Sequence, residues 1–96
     1  MRDSATSATL SVDVVYLARL REAFGSSGER VPLPAQGETT TVADLLAMLA
    51  ARGGAWAAEL ATGRAVRVAV NHVMCPRETP VHAGDEVALF PPVTGG

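Results

Sequence analysis

Gly84-Asp85-Glu86-Val87-Ala88-Leu89-Phe90-Pro91-Pro92-Val93-Thr94-Gly95-Gly96 reads as a turn, a strand and an exit from a core. Gly84 and Asp85 are turn residues, and Glu86 to Phe90 alternates with the period of two that a sheet with one buried face requires. Val87 and Leu89 are then inward, Ala88 and Phe90 outward. Pro91 and Pro92 lack the N–H that a ladder needs, so pairing stops there. The residues beyond Phe90 reach about 20 Å when extended, enough to enter another protein's active site. Glycines at such a tip have no Cβ and fit a narrow channel. The reacting group would be the α-carboxylate of Gly96.

Working outward, Val66, Val68 and Val70 alternate with Arg67 and Ala69, a strand with one buried side. Asn71–His72 is a turn, followed by a brief extended segment at Val73 and Met74. Upstream, Thr41 is an N-cap with Asp44 in the position of a capping box. Val42, Leu45, Leu46 and Leu49 follow as one apolar helical stripe, ended by Arg52 and Gly53–Gly54. A shorter helix is expected over Ala55 to Ala61, with Trp56 and Leu60 on one face and Gly63 closing it. Leu10 to Leu17 is a strand with Leu10, Val12, Val14 and Tyr16 on one face and Ser11, Asp13, Val15 and Leu17 on the other. Arg19 to Phe24 forms a helical turn stopped by Gly25. Ser26, Ser27 and Gly28 turn the chain into a strand over Glu29 to Leu33, which Pro32 and Pro34 assign to an edge. Gln36 to Thr40 reads as a polar loop. The order β, β, α, β, β predicts an α+β fold, a mixed sheet of four to five strands packed on one main helix. Residues 1–9 are expected to be a disordered extension, 10–90 the domain, and 91–96 a flexible, extended tail.

A chain of 96 residues holds one small core, and 48% hydrophobic against 19% charged residues is the balance of a folded protein. The net charge of −2 argues against a nucleic-acid partner. No apolar run approaches the roughly 20 residues of a membrane span, and the start lacks the apolar core of a secretory signal. A single cysteine, Cys75, allows no internal disulfide or zinc cluster and fits a reducing cytoplasm. All eight basic residues are arginine, so no lysine side chain is offered for chains built on this protein itself. Side-chain catalysis finds little support. His72 and His82 each sit beside a turn signal and read as surface residues. Cys75 precedes Pro76 and reads as a small, partly buried residue. Asp85 and Glu86 are turn and edge residues, and Gly53–Gly54 lacks the spacing and lysine of a phosphate loop. No metal site is expected.

The chain resembles the small subunits of molybdopterin synthase, sulfur carriers of the MoaD/ThiS family with the ubiquitin-like β-grasp fold. The resemblance covers about Leu10 to Gly96. It is strongest over Gly84 to Gly96, where the Phe-Pro-Pro-Val-Thr-Gly-Gly ending is highly specific, and it is supported by Tyr16-Leu17-Ala18-Arg19-Leu20-Arg21-Glu22 and by Val70-Asn71. Relatives serving thiazole or cysteine synthesis share the closing Gly-Gly but usually not the full ending. The polar N-terminal extension and the absence of lysine depart from the pattern without touching the terminal motif. The resemblance implies that Gly96, with Gly95 beside it, is the catalytic end of a sulfur-donating subunit. A ubiquitin-activating-like adenylyltransferase would use ATP to adenylate it, and a sulfurtransferase donor would convert it to a thiocarboxylate. The large synthase subunit would receive the tail in a heterotetramer, with no cofactor held permanently by this chain. A carrier for another pathway, or a ubiquitin-like protein modifier, uses the same tail.

Strand alternation leaves Val15, Leu17, Ala69, Ala88 and Phe90 outward, on the face opposite the helix. Apolar side chains on an otherwise exposed sheet face mark a docking surface, with Arg21 and Arg67 on its rim to meet acidic groups. The tail residues Pro91, Pro92, Val93 and Thr94 would extend that contact.

Overall fold

The computed structural model describes residues 10–33, 40–60 and 66–91. Strand β1 (Ser11–Tyr16) leads through Leu17 and Ala18 into α1 (Arg19–Phe24), and β2 (Gly28–Pro32) returns antiparallel to β1. A two-residue strand β3 (Thr40–Thr41) runs directly into α2 (Val42–Ala50), followed by α3 (Gly54–Leu60). Strands β4 (Arg67–Val70), β5 (Val73–Met74), β6 (Pro80–Val81) and β7 (Glu86–Phe90) complete the described elements. One sheet has the order β2-β1-β7-β4-β5, and β3 pairs with β6 in a separate ribbon. The central pair, β1 with β7, is parallel and the others are antiparallel. The sheet is therefore mixed.

Alternation decides which side of the sheet is core. Val12, Val14 and Tyr16 of β1 and Val87 and Leu89 of β7 are buried, and the α2 stripe of Val42, Leu45, Leu46 and Leu49 closes over them. Leu10 departs from its strand mates at 40% exposure, because it precedes the first paired residue of β1. Thr41 Oγ1 accepts the Asp44 N–H at 3.2 Å while Asp44 Oδ2 accepts the Thr41 N–H at 3.0 Å. This reciprocal cap satisfies two donors that a helix start leaves orphaned, and such caps contribute about 1 kcal/mol.

Two glycines meet specific backbone demands. Gly25 ends α1 in the left-handed region at φ 68°, and its N–H bonds back to the Arg21 and Glu22 carbonyls. At Gly28 a Cβ would lie 2.7 Å from the Val14 carbonyl oxygen, so β2 approaches β1 as closely as it does only without a side chain there. Asn71 and His72 both have positive φ, 50° and 71°, the form of two-residue turn whose twist matches a β-hairpin. That turn sets Val70 opposite Val73 and Ala69 opposite Met74.

Several expectations are corrected. The β3–β6 ribbon replaces the end of the polar loop: Thr40 is buried and pairs with Val81. Two-residue strands are too short to show a period, so neither was legible. The second helix starts at Gly54 rather than Ala55. Its end at Gly63, most of the loop before Thr40, the 1–9 extension and the tail beyond Pro91 lie outside the described residues.

Arg52, read as a helix terminus, does more than end α2. Its guanidinium donates to both Glu29 carboxylate oxygens, at 2.7 and 3.0 Å, and Tyr16 Oη donates to the same carboxylate at 2.6 Å. Arg52 also lies 4.5 Å over the Trp56 ring, which stacks on Phe24 at 3.9 Å, while Tyr16 meets both rings edge-on. The Arg52 bonds hold the Glu29 carboxyl below the usual 4.5, and burial, with Glu29 beside it, pushes the Tyr16 hydroxyl up. A carboxyl lowered by folding contributes stability that is complete above the unfolded value and is lost as pH falls through the folded one. The unfolding free energy of the native protein is therefore predicted to fall more steeply below pH 4.5 than that of a Glu29→Gln variant. Urea titrations across that range check this, and parallel slopes would refute it.

Candidate functional site

The outer face of the sheet is built in rows by its register. Val15 of β1 stands beside Ala88 of β7, Ala88 beside Ala69 of β4, and Ala69 beside Met74 of β5. In the next row Phe90 is paired with Arg67. The Leu17 N–H donates to the Leu89 carbonyl at 3.0 Å, which carries β1 up to the end of β7. Toward the other end of the strands the face is charged: Asp13 is paired with Glu86 and accepts from Arg30 Nε at 3.2 Å. The face thus grades from ionic to apolar in the direction of the tail.

The structure brings Val15, Leu17, Ala88, Phe90 and Arg67 together around the end of β7. Leu17 is 40% exposed, Val15, Ala88, Phe90 and Pro91 are half-buried, and Arg67 is exposed. Ala69 is a correction: it is 8% exposed, because its single methyl sits low between β7 and β5. Arg21 is exposed but stands on α1, beyond the strand face. Met74 was missed. It is 53% exposed and completes the outer row; counting alternation across the two-residue turn from Ala69 would have found it. The chain leaves β1 through Ala18 at φ 56°, a conformation that costs an L-residue about 1–2 kcal/mol. Just beyond, Arg19 bonds Glu59 and ties α1 to α3. Pro92, Val93, Thr94, Gly95 and Gly96 lie outside the described residues.

Other polar residues close turns. Asp85 accepts from the His82 N–H at 2.8 Å and from Asn71 Nδ2 at 3.0 Å, and Asn71 Oδ1 accepts the Glu86 N–H at 3.0 Å. The imidazoles of His72 and His82 are exposed, each 3.8 Å from a carboxylate, Glu86 and Asp85 respectively. Cys75 is partly buried, and its N–H donates to the Val68 carbonyl. Among the described residues no three His, Cys, Asp or Glu side chains gather to hold a metal ion, and no helix is long and apolar enough to cross a membrane.

A mixed sheet of order β2-β1-β7-β4-β5 around one capped helix defines a ubiquitin-like β-grasp protein. The structure is similar to SAMP1, a small archaeal modifier protein, from Haloferax volcanii: TM-score 0.73 and 32% identity, over 90% of this chain and 99% of that one. In sequence it is 35% identical over 85 residues to a protein of Haemophilus influenzae named molybdopterin synthase sulfur carrier subunit, and 36% identical to one of the same name from Escherichia coli. Each match covers 88% of this chain and 99% of the relative. The pattern of the ThiS family matches residues 14–96, and the chain belongs to that family.

The inward and outward roles at the end of β7 predict unequal costs. Leu89 is fully buried, so Leu89→Ala is expected to cost about 3 kcal/mol of stability. Phe90→Ala, on the half-exposed face, is expected to cost less than half of that. Denaturant unfolding of both variants checks the order, and equal losses would contradict the assigned faces.

Proposed function

We propose that this chain is the sulfur carrier subunit of a molybdopterin synthase, with Gly96 as its reactive end. The observation that carries the reading is the match along 99% of the length of two relatives that bear that name; the Phe-Pro-Pro-Val-Thr-Gly-Gly ending agrees with it.

On this reading the chemistry lies in the terminal carboxyl group. It is ionised near neutral pH, since its ordinary pKa is about 3.5, and an anion resists nucleophilic attack. A partner adenylyltransferase of the ubiquitin-activating kind removes that obstacle with ATP: the carboxylate displaces pyrophosphate and becomes an acyl adenylate. The outer sulfur of a persulfide on a sulfurtransferase donor then displaces AMP to give an acyl disulfide. A thiol reductant cleaves that bond, becoming a disulfide with the donor's sulfur and leaving a thiocarboxylate on Gly96. That sulfur attacks cyclic pyranopterin monophosphate within the large synthase subunit, and hydrolysis returns the carrier to its carboxylate. Two such transfers build the dithiolene. The large subunit supplies the pocket and the acid–base groups, and two of each subunit assemble as a heterotetramer. This chain's own residues deliver and dock. Val15, Leu17, Ala88 and Phe90 cover the apolar end of the sheet face, Arg21 and Arg67 meet acidic groups at its rim, and the residues after Phe90 carry Gly96 to the partner. The chain itself keeps no cofactor, and the reactions belong to the cytoplasm.

The likeness to a small archaeal modifier protein favours a second reading, attachment to other proteins through Gly96. The acceptor separates the two. The test uses this protein prepared as the Gly96 thiocarboxylate, verified by intact mass, and mixed with the large synthase subunit and the cyclic pterin. Dithiolene product and a carrier returned to carboxylate are expected. An intact thiocarboxylate beside a working control synthase would overturn the synthase reading, and conjugates on lysines of other proteins would establish the modifier. A variant extended by one residue beyond Gly96 is expected to fold normally and transfer no sulfur. Phe90→Ala is expected to weaken binding to the large subunit by about 2 kcal/mol in titration calorimetry, and unchanged affinity would remove Phe90 from the docking surface.

A further inference from the structure

Beside the end of β7, the edge of β4 comes apart from the chain that follows β5. The Cys75 N–H donates to the Val68 carbonyl at 3.2 Å, but Pro76 has no N–H with which to continue the ladder. Arg77 supplies the next donor from its side chain: Nη2 bonds the Val66 carbonyl at 3.2 Å. Between the two segments lies a shallow cleft of about 380 Å³, floored by Val66, Val68, Met74 and Pro76 and flanked by Arg67 and Arg77. No carboxylate among the described residues lines it. Among the described residues Arg19, Arg30 and Arg52 each form an ion pair, whereas Arg67 and Arg77 form none. In a chain of net charge −2, two cations therefore share one apolar-floored cleft with no counter-charge among the described residues. Arg67 is in register with Phe90, so the cleft opens next to the residue from which the tail leaves.

We propose that this cleft receives an acidic side chain, an Asp or Glu flanked by apolar residues, from the protein into which the tail is inserted; the inference rests on the carrier reading above. Guanidinium groups suit the task, because their planar N–H forks match a carboxylate. Arg77 is already anchored by its bond to Val66, and among the described residues no carboxylate bonds its remaining N–H groups. Arg67 is unrestrained and closes from the outer face. One carboxylate can bond both guanidinium groups and offsets one of their two positive charges, and the apolar floor keeps water from the contact once the partner is seated, which strengthens the attraction. The contact also sets register: it fixes the partner at the side of β4 while Leu17 and Phe90 seat it at the middle of the face, so the tail is aimed in one direction.

The test is titration calorimetry of the full chain against the large synthase subunit at about 50 and about 300 mM salt, where screening of an ion pair differs most. Arg67→Gln is expected to weaken binding about tenfold and Arg67→Glu about a hundredfold, with a shallower salt dependence than the native chain and unchanged thermal melting. Arg77→Gln added to Arg67→Gln is expected to weaken binding further; should that double variant fail to fold, Arg67→Glu alone decides. Native binding together with Arg67→Glu binding within twofold of it would overturn the cleft contact and leave the carrier reading standing. No binding by the native chain would overturn both.

Discussion

The parallel pairing of β1 with β7 is the constraint on which the rest of this structure depends. It joins the first and last described strands, distant in sequence, through four residue pairs from Asp13–Glu86 to Tyr16–Leu89. Parallel strands need a long crossover, and here the crossover contains the β2 return, both longer helices and β4. Loop-closure entropy opposes such a contact, so it must be repaid by burial. The fully buried side chains of Val12, Val14, Tyr16, Val87 and Leu89, with α2 across them, supply that burial. Because β7 has a neighbour on each side, its last residues are held by Leu17 from β1 and Arg67 from β4. The last described strand is thus the central one of the sheet.

The two faces of that strand pair divide the work. The inner face carries the core, and the outer face grades from ionic residues at Asp13 and Glu86 to exposed or half-buried apolar ones at Leu17 and Phe90. Glycine and alanine at Gly28, Ala88 and Ala69 keep the middle of the outer face low, while Val15, Leu17, Phe90 and Met74 stand higher around it. Away from the face, the Tyr16–Glu29–Arg52 bonds and the Phe24–Trp56 stack lock β1, β2, α1 and the α2–α3 junction to one another. A small domain with a modest core gains from such a clamp, since it leaves the outer sheet face free of structural duty.

Most of the elements were legible because each carries a local signal. The Thr41–Asp44 cap, the Val42–Leu49 stripe, the Gly25 stop, the Asn71–His72 turn and the Val87–Leu89 alternation are decided within a few residues, and the structure agrees with each. The tail motif was legible for the same reason, and the family it resembles is the one whose pattern matches residues 14–96. The outer sheet face was legible only in part. Alternation says which side a residue takes, but not how deep it sits, so Ala69 proved covered and Met74 was overlooked.

Sequence alone determined each strand and helix with a clear period, the polarity of their faces and the family motif of the ending, since period, capping and a terminal motif are properties of neighbouring residues. Tertiary structure alone decided which strands are neighbours, that β3 and β6 exist, that Arg52 serves Glu29 and Trp56, and that Arg67 and Arg77 flank one cleft. Those contacts join residues far apart in the chain. No local pattern encodes them, and they come into being only when burial of the central strands brings the segments together.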